Sequence, residues 1–199
     1  MPFRRRHAAL GALAALAACR SPEPALYTML PVPGTPLTGG PRSVSVREVS
    51  LARYLDRTQI VRSAAEYRLD VSGNDWWGES LDAMLTRVLV ENLAQRLPGS
   101  SVVATGGAIS SPADAVVEVN LQRLGLVAPA TLGLTAQLAI VHRDASRRDL
   151  ARTETLTAPV AGADTAAFVA AASAALGALA DSLAASLAVR TAPRPRSAG

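Results

Sequence analysis

Few residues in this chain could carry out covalent or acid–base chemistry. It has two histidines, His7 in the N-terminal leader and His142. His142 is therefore the only imidazole available to a Ser-His-Asp or Cys-His arrangement, and no Gly-x-Ser-x-Gly nucleophile elbow accompanies it. It closes an alternating apolar run and reads as a strand-end residue. With one cysteine, Cys19, a disulfide within the chain is excluded, and so is a metal site built from several His and Cys ligands. Glu79 and Asp82 lie three apart and could present two carboxylates for acid–base work. An amphipathic helix needs a solvated side, and that is the better reading of the pair. Gly106-Gly107 is too short to cradle a phosphate and reads as a turn. No catalytic residue, metal or cofactor is expected.

Cys19 points to a different chemistry. Arg4, Arg5 and Arg6 form a basic start, and Ala8 to Ala18 form a short apolar run. Such a run falls short of the roughly 20 apolar residues that span a bilayer and has the layout of a secretory signal. Leu16-Ala17-Ala18-Cys19 resembles the lipobox of bacterial lipoproteins. That resemblance implies a signal peptide over 1–18, with Cys19 acylated as the new N-terminus and serving as a membrane anchor. In enteric lipoproteins Asp at the next position retains the protein at the inner membrane; Arg20 therefore points to an outer-membrane anchor facing the periplasm.

Charge adds an exclusion. The chain carries +4, and all 20 basic residues are Arg. Six of these sit in the leader and in the last ten residues, which leaves 14 against 16 acidic residues in the body. A basic nucleic-acid-binding face is not expected.

The elements between the two ends follow from periodicity. Residues 19–41 are rich in Pro and Gly and read as an extended tether, interrupted by a short edge-strand candidate at Leu26 to Leu30. Residues 190–199 read as a disordered tail, leaving 42–189 as one domain. Within it, alternation at Val44–Val46, Tyr67–Val71, Val117–Leu121 and Leu132–Ile140 predicts strands with one buried face. Thr58–Arg62 and Ser101–Ala104 are shorter candidates, and Leu150–Thr157 reads as an edge strand. A first helix is expected from Asn74 or Asp75, with Trp77, Leu81, Met84, Leu85, Val88 and Asn92 on its inner side, ending at Pro98-Gly99. A second is expected from about Asp164 to Val189, with Phe168, Ala172, Leu176, Leu179, Leu183 and Leu187 as its apolar stripe. The order predicts an α+β fold: an antiparallel or mixed sheet with two main helices packed on one face. The Ala-rich second helix would also allow close approach of another copy, so a homo-oligomer is compatible with the sequence.

One segment is more specific. Tyr54-Leu55-Asp56-Arg57 is followed by Gln59-Ile60-Val61, then Trp76-Trp77-Gly78, then Asn92-Leu93. With the lipobox, this pattern resembles the PqiC-type (YmbA-like) auxiliary lipoproteins of ABC/MCE transport systems. Ala52 departs from it where the family often has Pro. The resemblance implies a non-catalytic α+β subunit tethered to the outer membrane. It would act with a membrane-anchored MCE-domain protein in moving lipid or other hydrophobic compounds between the membranes and supporting envelope integrity. Tyr54, Leu55, Asp56, Arg57 and Trp76 are the partner-binding candidates, since Tyr, Trp and Arg are enriched at interfaces. Trp77 is assigned to packing.

Overall fold

The computed structural model describes residues 23–65, 67–107 and 112–188. The leader, Cys19 and the 190–199 tail lie outside the described residues. The elements are β1 (Ala25–Tyr27), β2 (Ser43–Val46), β3 (Ser50–Leu51), β4 (Gln59–Ala65), β5 (Arg68–Trp77), α1 (Leu81–Arg96), β6 (Ser101–Ala104), β7 (Ala115–Ala128), β8 (Thr131–His142), β9 (Leu150–Pro159) and α2 (Thr165–Ala188).

The nine strands form one mixed sheet organised by β7. One side of β7 pairs antiparallel with β8 along nearly its whole length, and β8 pairs antiparallel with β9. The other side is shared end to end by three parallel partners. β2 lies beside Ala115–Val117, β3 beside Asn120–Leu121, and β4 meets it at Leu126. β6 continues the sheet from β2, while β5 and then β1 continue it from β4. The sheet is thus continuous at β7–β8–β9 and divided into two wings beyond.

Period-two burial decides which face is covered. Val117, Val119 and Leu121 of β7 and Leu132, Leu134, Ala136, Leu138 and Ile140 of β8 are buried under the helices. The alternate residues, among them Asn120, Gln137, Thr153 and Thr155, face outward. The predicted stripe of α2 is buried throughout. By length and apolarity α2 would pass for a membrane span, but 61% of that stretch is buried within the fold. It is the core helix, and each of its large apolar side chains contributes on the order of 2 kcal/mol by burial.

The start of α1 differs from expectation. Asn74 and Asp75 are not helix caps; they belong to β5, and the helix begins at Leu81. Long-range pairing overrides the local signal: Asp75, Trp76 and Trp77 lie opposite Ala25, Leu26 and Tyr27 of β1. Trp77 N–H also donates to Thr58 O at 2.8 Å. The other end of β5 differs too. Tyr67 takes a left-handed φ of 63° at the tip of the β4–β5 hairpin. It and Leu69 face solvent there, because the hairpin runs past the area the helices cover.

The Pro/Gly-rich segment is extended, as its composition requires, but residues 29–37 are laid across both helices. Met29 is buried, and its N–H points to Met84 Sδ at 3.3 Å. Leu30 N–H donates to Ser173 Oγ at 3.3 Å, Val32 N–H to Asn92 Oδ1 at 2.8 Å and Leu37 N–H to Arg96 O at 2.7 Å. Arg96 lies beneath this strap with 1% exposure. Its guanidinium donates to Val32 O and Asn92 O, both at 3.1 Å, and to Asp181 Oδ1 of α2 at 2.5 Å. Gly34 makes room for it, since a Cβ there would lie 2.2 Å from Arg96 Cζ.

Candidate functional site

The Tyr54–Arg57 motif forms the turn between β3 and β4. Ala52 N–H donates to Leu121 O at 2.8 Å, which holds the turn's start to β7. Leu55 N–H then donates to Ala52 O at 2.8 Å and Arg57 N–H to Leu55 O at 2.9 Å. Leu55 is the buried peg of the turn. Tyr54 is half-buried against the core, and its hydroxyl donates to Gln122 O at 3.3 Å. Burial raises the phenol pKa, partly offset by the Leu124 backbone and by Arg123, so Tyr54 acts there as a neutral hydroxyl. Asp56 and Arg57 stand exposed at the tip.

The chain entering the turn is fixed from beneath by α1. Thr86 is buried; its Oγ1 accepts from Val49 N–H at 2.9 Å and donates to Asp82 O at 2.7 Å. Thr86→Val would keep the shape and leave the Val49 donor unsatisfied. A loss of about 1–3 kcal/mol in unfolding free energy, read by urea denaturation, is the expected outcome.

Trp76 sits in β5 between two neighbours, opposite Leu26 of β1 and Gln59 of β4. Gln59 is two residues beyond Arg57, so the sheet register brings Trp76 to the strand that leaves the turn. Trp76 is half-buried, and its indole Nε1 is buried without a hydrogen-bond partner among the described residues. Trp77 is 5% exposed and packs in the core as expected, though from a strand. The β5 position is held to α2 by Asp75, whose carboxylate accepts from Thr165 Oγ1 at 2.5 Å. Arg62 of β4 in turn donates to Thr165 Oγ1 at 3.1 Å and stands over the Phe168 ring at 5.6 Å.

Two exposed apolar residues, Leu26 opposite Trp76 and Leu30 in the strap, are not site candidates in the sequence. Leu26 is 66% exposed and Leu30 64%. Leu30 borders a surface groove of about 350 Å³ between the strap and α2, lined also by Tyr27, Val32, Ala166 and Val169. The sequence signal was the apolar run 26–30, but a run of this kind does not tell which of its members the helices will cover.

The residues with catalytic potential are engaged elsewhere. Glu79 pairs with Arg87 at 2.6 Å, and Asp82 Oδ1 accepts from Ala83 N–H at 2.8 Å in the first turn of α1. His142 ends β8, where its backbone N–H donates to Asp149 Oδ1 at 2.8 Å. Burial, then Arg147, holds the imidazole pKa below the ordinary value, against the opposing pull of Asp149 and Asp144. As pH falls the unfolded chain therefore takes this proton before the folded one does. The stability tied to neutral His142 is complete above the ordinary histidine pKa of about 6.5 and is lost as pH drops from there through the folded-state value. Urea midpoints should fall between about pH 7.5 and about pH 5, and His142→Gln should flatten that decline.

The sequence pattern of the ABC-type transport auxiliary lipoprotein component family matches residues 27–184, from the end of β1 into the last turns of α2. The chain belongs to this family. This family member is thus an auxiliary lipoprotein component of an ABC-type transport system, anchored to a membrane of the cell envelope. The match takes in the strap over the helices as well as the turn. Two solved structures share the auxiliary lipoprotein's fold. A crystal structure of an uncharacterized protein is 18% identical with a TM-score of 0.67, covering 82% of this chain and 98% of that one. Protein XCC0632 from Xanthomonas campestris, of family DUF330, is 23% identical with a TM-score of 0.57, covering 80% and 92%. No curated protein sequence matches the chain.

Proposed function

We propose that this auxiliary lipoprotein is the PqiC-type subunit of an MCE-type ABC transport system. It is anchored in the outer membrane through Cys19 and faces the periplasm. Its role is non-enzymatic: it docks or scaffolds an MCE-domain subunit that moves lipid or another hydrophobic compound between the membranes, and so supports envelope integrity. The observation that carries this reading is the family match over residues 27–184, preceded by the lipobox at 16–19. The Tyr54–Arg57 turn and Trp76 are the docking surface. The buried Leu55 and half-buried Tyr54 favour that role by making the turn rigid, while Asp56 and Arg57 remain free to meet a partner.

A photoreactive residue at position 57 tests this in living cells without disturbing the core. The expected product is an adduct with the MCE-domain protein. An adduct with other copies of this chain alone, or none from a stable protein, would remove the turn from the docking surface. The apolar groove beside Leu30 supports a second reading, a stand-alone lipoprotein that binds lipid itself. That reading requires lipid in an organic extract of the purified protein.

A further inference from the structure

We propose that the free edge of β9 pairs antiparallel with β9 of a second copy of this chain, in the one register that places Thr153 opposite its own symmetry mate. Among the described residues β9 pairs only with β8, and its register is unbroken from Leu150 to Pro159. No proline interrupts it before Pro159, so the edge presents a row of backbone groups with no bulge or break to protect them.

Side chains select the partner and the register. Arg152 and Glu154 point to the helix side of the sheet, where Arg152 Nε donates to Glu154 Oε1 at 2.6 Å and Ser182 Oγ to the same oxygen at 2.5 Å. Glu154 Oε2 is buried and has no partner among the described residues. With Thr153 on a two-fold axis, each Arg152 stands opposite the other copy's Glu154, so unlike charges face each other across the seam. The same register sets Leu150 opposite Leu156 and Ala151 opposite Thr155, pairs that suit a sheet. Shifting the axis to Arg152 or Glu154 would place like charges face to face.

The helices fit the same arrangement. α2 lies over β8 and β9, and Arg152 Nη2 donates to both Ser182 and Ser186 on its outer flank. Strands are about 4.8 Å apart, so a helix centred between β8 and β9 lies about 5 Å from the proposed axis. Its symmetry mate would then run about 10 Å away, at the upper end of the usual helix-packing distance. The flank that would meet it carries Ala178, Ser182 and Ala185, all small.

The test is disulfide trapping of the full-length lipoprotein in cells. Opposed residues in an antiparallel pair lie about 4.5–5.5 Å apart, within disulfide reach. Thr153→Cys should yield a crosslinked dimer absent from the unsubstituted protein. Thr155→Cys, about 13 Å from its own mate in this register, should yield at least about tenfold less. Arg152→Glu and Glu154→Arg, each in the Thr153→Cys background, should each reduce the dimer at least about fivefold. Expressing the two together should restore it as a heterodimer, because only pairing between chains then opposes unlike charges. A monomeric Thr153→Cys protein, equal trapping at 153 and 155, or no recovery on co-expression would each overturn the proposal.

Discussion

Arg96→Leu is expected to lower the unfolding free energy by about 3 kcal/mol and to free the strap. Arg96 is almost wholly buried, yet its guanidinium serves three acceptors on three parts of the chain: Val32 O in the strap, Asn92 O in α1 and Asp181 Oδ1 in α2. Leucine fills part of the volume and leaves Val32 O without a donor, at about 1–3 kcal/mol where water cannot reach it, while Asn92 O keeps its backbone partner in the helix; the lost packing of the long side chain adds to this. Asp181 is 57% exposed and can turn to solvent, so its share is small. Asp181→Asn should therefore cost less than Arg96→Leu, although it removes a charge from a buried partner. Urea denaturation reads the stability, and limited proteolysis between residues 30 and 37 reads the strap. If Arg96→Leu matched the wild type in both, the guanidinium would not be what holds the strap.

Cys19→Ala is expected to move the protein from the membrane fraction to the soluble fraction while leaving its fold intact. Among the described residues α2 is the one helix long and apolar enough to cross a membrane, and its apolar side is taken up by the sheet. On the proposed reading the anchor is then the acylated Cys19. Each buried methylene of an acyl chain contributes about 0.8 kcal/mol, and two or three chains together hold a protein stably where one is marginal. Fractionation of cells after osmotic shock would show the change. Full retention in the membrane fraction would mean that another element anchors the chain.

Much of the fold is legible in the sequence because burial imposes its period there. β7 and β8 alternate cleanly since one face lies under α1 and α2, and the α2 stripe from Phe168 to Leu187 has the spacing its packing needs. β9 reads as an edge because its residues are polar on both faces. Long-range contacts are the part that local pattern cannot supply. Asn74 and Asp75 carry a helix-cap signature, but β1, about 50 residues earlier, draws them into β5. Arg96 looks like an ordinary basic residue at a helix end, and only the strap passing over it makes it a buried hub. The turn at Tyr54–Arg57 stands out through family resemblance; its composition alone is that of any surface loop. Leu26 and Leu30 are visible as an apolar run, yet which of its members stay exposed depends on how the chain crosses the first turns of α2.

The sharing of β7 by β2, β3 and β4 has a consequence for the order in which the protein can form. Every one of those early strands waits for a partner at least 60 residues further along the chain. Such distant pairings fold slowly. A chain threaded through a secretion pore from its N-terminus could close the β4–β5 hairpin early and then add β6 to β2, but β3 and the second edges of β2 and β4 would stay open until β7 emerged. The two wings therefore spend the transit as separate pieces, each with an open edge, and the sheet closes only when β7 arrives to join them.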